Sequence, residues 1–223
     1  MIARAGETAQ LPGEVIMNVA TPTFVPPRSA VSAEPSWEIV KLFPFQGHWS
    51  EGEYLALADT NRLVELSDGS IKVIEMPTEH HQDMLIYLHA ALSAFVKPNS
   101  LGKASVAGLP VKLWPGQFRE PDVLFMLSEH GERRHNQFWD GADLVMEVVS
   151  EDRAHDLDTK RSEYANAGIP EYWIVDPMLK EITVLKLSGD HYEPAGVYRP
   201  GDQAGSVLLP GFAVDVTAVF EAK

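Results

Sequence analysis

Cysteine is absent from the 223 residues, which excludes a disulfide framework and makes a reducing cytoplasm the expected setting. No run approaches the ~20 apolar residues of a membrane span, and the N-terminus has no apolar core of signal-peptide length, so a soluble protein is expected. Neither a glycine-rich phosphate loop nor a dinucleotide fingerprint occurs, which argues against ATP dependence. Internal repeats and low-complexity tracts are also missing. Basic residues are scarce: 18 Lys and Arg stand against 32 Asp and Glu, a formal net charge of −14. A protein that grips long nucleic acid usually presents a basic surface, so any such binding here must be local or weak.

What is present suffices for one domain with an extension, since 45% of the residues are hydrophobic and can form a sizeable core. Residues 1–48 carry Pro12, Pro22, Pro26, Pro27, Pro35 and Pro44 without periodicity. They read as an extended or partly disordered arm, and removing residues 1–47 should leave thermal stability nearly unchanged. The domain proper is expected over 49–223. Ser50 and Glu53 have capping-box spacing before a short helix ending near Ala58. Leu63–Leu66 and Ile71–Met76 flank Asp68-Gly69, the signature of a tight hairpin. Thr78 can cap a helix with the stripe His81, Leu85, Leu88, Leu92 and Phe95, stopped by Pro98.

Strands are then expected after Asp122, over Leu144–Val149, over Glu171–Asp176 and over Glu181–Leu187. A polar loop from Ser128 to Ala142 separates the first two. A helix ending at Gly168 joins the second and third, which implies a parallel strand-helix-strand crossover. Tyr192, Val197, Val207 and Leu208 suggest further short strands against the sheet.

One carboxylate stands out. Glu147 lies mid-strand among Val145, Met146, Val148 and Val149, and a buried ionised carboxylate is costly unless it is paired or holds a cation. Asp122 opens the apolar run EPDVLFML; if its strand neighbours that of Glu147, the two acids can share a hard divalent ion. The main-chain carbonyl of Val148 would complete the inner sphere. Lys160 is a second partner, because Leu157, Lys160 and Tyr164 share one face of a helix; the alternative is a lysine that snorkels to solvent. Asp156 has the spacing to pair with Lys160, or to stabilise the helix start. Basic residues cluster at Arg133, Arg134, His135 and at Arg153, Lys160, Arg161, where a solvated face is the ordinary explanation.

The order Pro121-Asp122, Glu147 in an apolar strand ending in Ser150, Asp156-x-x-x-Lys160, Tyr164 and GIPEYWIVDP resembles the Uma-type restriction endonucleases of the PD-(D/E)XK nuclease superfamily. Upstream, VELSDG followed by PTEHHQ matches the family's second block, so the resemblance covers roughly Trp49 to Phe220. Val149 stands where the superfamily's Glu-x-Lys places its lysine, and Lys160 is the replacement usual in the family. The resemblance implies an α/β fold with a restriction-endonuclease-like mixed central sheet flanked by helices and extra C-terminal strands.

It further implies a magnesium- or manganese-dependent endonuclease acting on DNA. Asp122, Glu147 and Val148 would hold the metal, and Lys160 would orient water or balance charge. Glu65 would be a third carboxylate near the metal, unless it is an edge-strand glutamate facing water. His81 would be a site residue, unless it is a hydrogen-bonded core histidine. Tyr172 and Trp173 read as core, and Asp176 as a turn-starting acid. A homodimer would cut both strands most simply. The alternatives are a non-catalytic module that binds nucleic acid or protein, and hydrolysis of a small phosphate ester. If Lys160 serves chemistry alone, its exchange for Met should leave stability unchanged or higher.

Overall fold

The computed structural model describes residues 46–58 and 63–223. The chain divides into units Met1–Ala33 and Glu34–Lys223; the arm expected over 1–48 falls almost wholly outside the described residues. Its last part is bonded to the domain, since the Gln46 amide donates to Ile71 O at 3.1 Å and accepts from Ile71 N at 2.8 Å.

Helix α1 (Glu51–Ala58) opens on the expected capping box, with Ser50 N and Oγ donating to Glu53 Oε2. Strands β1 (Val64–Ser67) and β2 (Ser70–Val73) form an antiparallel hairpin. Its turn residues Asp68 (φ 45°) and Gly69 (φ 77°) are both left-handed, which twists the turn to suit the strands. Thr78 Oγ1 accepts from His81 N and caps helix α2 (Glu79–Val96), whose buried stripe is Met84, Leu85, Leu88, Leu92 and Val96.

Strands β3 (Gly102–Val106), β4 (Val111–Trp114), β5 (Gln117–Arg119), β6 (Val123–Leu127), β7 (Trp139–Asp140) and β8 (Leu144–Val148) follow. The segment read as a polar loop is therefore partly ordered, with 3₁₀ turns over Ser128–Arg133 and the two-residue β7. The helix carrying Lys160 is α3 (Lys160–Asn166), entered through a π-helical turn, His155–Thr159. Strands β9 (Glu171–Asp176), β10 (Glu181–Ser188), β11 (His191–Tyr198), β12 (Gln203–Gly205) and β13 (Ala213–Asp215) lead to α4 (Val216–Phe220).

The central six-stranded sheet has the order β11-β10-β9-β8-β6-β3. It is mixed: β8–β9 is parallel, the other pairs antiparallel. One face packs on α2 and α4 through Phe125, Met146, Leu88 and Val219. The opposite face carries Leu124, Met126 and Val145 against Tyr164 of α3 and against Val111 and Trp139 of a second, five-stranded sheet, β2-β1-β5-β4-β7. This is the expected mixed α/β architecture, with one correction. Val207 and Leu208 lie in a turn and not in strands, because their N–H groups donate to the buried Glu171 carboxylate at 2.7 and 2.6 Å. Among the described residues no helix is long and apolar enough to cross a membrane.

Candidate active site

Alternation along β8 sends Leu144, Met146 and Val148 to the α2 face and leaves Glu147 with Val145 on the other. The β6–β8 register pairs Val123 with Met146 and Leu124 with Val145. Continued by one residue, it sets Asp122 opposite Glu147, and opposite residues of an antiparallel pair share a face. Asp122 Oδ2 accepts from Val148 N at 2.7 Å, and Oδ1 bonds His81 Nε2 at 3.0 Å. Burial opposes a charge on His81, but the hydrogen bond and charge of Asp122 hold its pKa above the ordinary value.

Glu147 is 2% exposed. Its Oε2 accepts from Lys160 Nζ at 2.9 Å and its Oε1 from the Tyr164 hydroxyl at 2.5 Å. Burial, reinforced by the nearby charges of Asp122 and Asp156, pushes its pKa well above the carboxylate range. Lys160 is also buried, yet Glu147, Glu65, Asp156 and Asp122 together hold it charged, well above the ordinary lysine value. Lys160 Nζ lies 3.1 Å from Asp156 Oδ1, while Asp156 Oδ2 accepts from Ser150 N and Oγ at 2.8 and 2.7 Å. The π turn widens the helix where this pair forms, a distortion found often at functional sites.

Glu65 is buried, not facing water as an edge-strand glutamate would. Its Oε2 lies 3.2 Å from His155 Nε2 and 3.7 Å from Arg119 Nε, and its Oε1 accepts from Glu120 N at 3.4 Å. Burial alone would raise its pKa, but the His155 hydrogen bond and the charges of Lys160 and Arg119 pull it to about 2. Its neighbour Glu120 is the reverse case: burial, with the charge of Glu65, pushes it up to about 7, and its Oε2 is buried without a hydrogen-bond partner.

Glu65, His81, Asp122, Glu147, Val148 and Lys160 all line one cleft of about 500 Å³, together with Glu120, His155 and Asp156. Sequence reasoning passed over Glu120 and His155. The former carried a signal, an acid adjoining Pro121-Asp122; the latter is linked to Glu65 across 90 residues and left none. Tyr164, part of the helical stripe and of the residue order that carries the family resemblance, holds the Glu147 carboxylate. The basic residues near the cleft are engaged elsewhere: Arg153 pairs with Asp176 at 2.6 Å, and Arg161 donates to Tyr192 O. Tyr172 and Trp173 are fully buried, and Asp176 accepts from Met178 N and Leu179 N in the turn.

The donors suit a hard cation: two carboxylates on one sheet face and the Val148 carbonyl at the cleft are all oxygen ligands. Among the described residues no third carboxylate or imidazole joins them in a ready ligand group. Such a site would therefore leave most positions to water and substrate oxygens, as magnesium prefers.

A family model described as "Uma2: Putative restriction endonuclease" matches residues 52–217. No curated protein matches the chain. A solved structure of "a putative nuclease belonging to DUF820" from Anabaena variabilis ATCC 29413 is similar at 19% sequence identity and a TM-score of 0.62. The similarity covers 76% of this chain and 96% of that one.

Proposed function

Since this chain belongs to the Uma2 family of restriction-endonuclease-like proteins, we propose that its cleft hydrolyses phosphodiester bonds of DNA with the aid of magnesium or manganese. The carrying observation is the opposition of Asp122 and Glu147 across β6 and β8, with Lys160 Nζ 2.9 Å from Glu147. Asp122, Glu147 and the Val148 carbonyl would hold the ion. When bound, it polarises a phosphoryl oxygen and lowers the pKa of an attacking water.

The chain's own groups do the rest. Val148 N–H and His81 fix the two oxygens of Asp122, so the carboxylate is oriented before substrate arrives. Tyr164 and Lys160 do the same for Glu147. Lys160 keeps its proton among four carboxylates and so places a fixed positive charge where negative charge gathers on phosphorus in the transition state. A two-fold dimer working in the cytoplasm would present two such clefts to a duplex.

Supercoiled plasmid incubated with magnesium or manganese should be nicked by the parent and left intact by Glu147→Ala. A parent that leaves plasmid intact under both ions refutes the reading. A non-catalytic module is the second reading, favoured by the fact that both Glu147 oxygens already have donors. It is separated by calorimetry, where it requires no binding of either ion.

A further inference from the structure

Both lysines of the cleft are committed, Lys72 to Asp152 at 3.0 Å and Lys160 to Glu147. Eight acidic residues share its lining with them. A polyanion entering there meets no free ammonium, so its backbone must be gripped elsewhere. A second pocket, of about 510 Å³, has a different character: it is lined by Lys103, Arg134, His135, Asn136, Leu109 and Trp139, with Gly131 and no carboxylate. In a chain of net charge −14, a pocket lined by basic side chains and by no carboxylate is a local exception.

Lys103 of this pocket lies on the same face of the sheet as Glu147 of the cleft, the face that the second sheet covers. Lys103 pairs with Met126 across β3 and β6, so the two side chains share a face, and Met126 belongs to the face of Glu147. Asp122, directly before β6, and Met126 are four residues apart, about 13 Å at the rise of a strand.

The side chains are built for an anion. Lys103 is exposed, and among the described residues its ammonium has no partner. Arg134 folds back over Gly131, donating from Nε to Gly131 O at 3.4 Å; a Cβ there would sit 2.8 Å from Arg134 Nη2. His135 Nε2 is held by Asp140 Oδ2 at 3.0 Å, which orients its ring. Arg133, in contrast, turns away to Asp140 O.

We propose that this pocket is a phosphate subsite that holds the nucleic-acid backbone outside the cleft. It rests on the nuclease reading. The test is equilibrium binding of a labelled 20-base-pair duplex over a series of salt concentrations, with parent, Lys103→Gln, Arg134→Gln and, as a control on β10, Lys186→Gln. Each lost phosphate contact should reduce the slope of log affinity against log salt by about 0.9. Lys103→Gln and Arg134→Gln should show that loss and Lys186→Gln should not. In plasmid nicking the same two variants should raise KM and leave kcat unchanged.

Lys103→Gln alters an exposed side chain, so it keeps the test valid should Arg134→Gln fold poorly. If the parent nicks plasmid while Lys103→Gln keeps the parental slope and KM, the subsite is wrong and the nuclease reading stands. A parent that neither binds duplex nor nicks plasmid overturns both. If inorganic phosphate protects the parent against unfolding, Lys103→Gln abolishes that protection and the duplex slope stays parental, the pocket takes free anions and the assignment to nucleic acid is wrong.

Discussion

Lys160 and Glu147 form a buried ion pair at 2.9 Å, with side chains 10% and 2% exposed. Two elements 13 residues apart in sequence thus meet at one charge pair, and Asp156 makes it a triad. Removing the ammonium leaves Glu147 and Asp156 without the cation that both contact, a larger cost than the net worth of the pair.

Lys160→Met should therefore destabilise the fold, by up to about 3–5 kcal/mol in chemical denaturation at neutral pH. This reverses what the helix pattern alone suggests, because the pattern does not reveal that Glu147 and Asp156 both depend on the ammonium. Adding Glu147→Leu should recover part of the loss. Nicking activity of Lys160→Met should fall by about a hundredfold or more at a temperature where the variant is folded. Parental activity there would reduce Lys160 to a structural cation.

His81 acts on the metal site only through Asp122, which it holds at 3.0 Å. His81→Ala should weaken magnesium binding by about 10–100-fold in calorimetry, the scale for losing the partner of a ligand. Its melting temperature should change little, since Thr78 caps α2 through the main chain of His81 and not its ring. An unchanged magnesium affinity would place His81 outside the site.

Acid should find Glu65. Its pKa falls from 4.5 to about 2 on folding, so its ionised form stabilises the protein above 4.5 and that stabilisation disappears as pH falls toward 2. The amount is about 3 kcal/mol. Urea denaturation at pH 5 and pH 3 should show the parent losing more stability than Glu65→Gln; equal losses would count against the His155 and Arg119 pairing.

Glu120 should behave in the opposite sense. Its pKa rises from 4.5 to about 7, so the folded state is favoured below 4.5 and loses that advantage as pH climbs through 7. Glu120→Gln should gain stability over the parent between pH 5 and pH 8, by up to about 3 kcal/mol. A gap independent of pH would mean that the unpartnered Oε2 is solvated.

Much of this architecture is legible in the amino-acid order. Ser50 with Glu53, Asp68-Gly69, Thr78 and the Leu85–Leu88–Leu92 stripe act through neighbours within a few residues, so capping, turn chemistry and periodicity locate α1, the hairpin and α2 without knowledge of the rest. Glu147 among four apolar residues announces a buried acid for the same reason. What lies beyond that reach depended on tertiary structure. Asp122 opposes Glu147 only because β6 and β8 are neighbours in one particular register, and a slip of one residue would send the acid to the other face. Glu65 meets His155 across 90 residues, and one carboxylate oxygen of Glu120, Oε2, is buried without a hydrogen-bond partner. Charge pairing of this kind is decided by which surfaces pack together, and no local pattern records it.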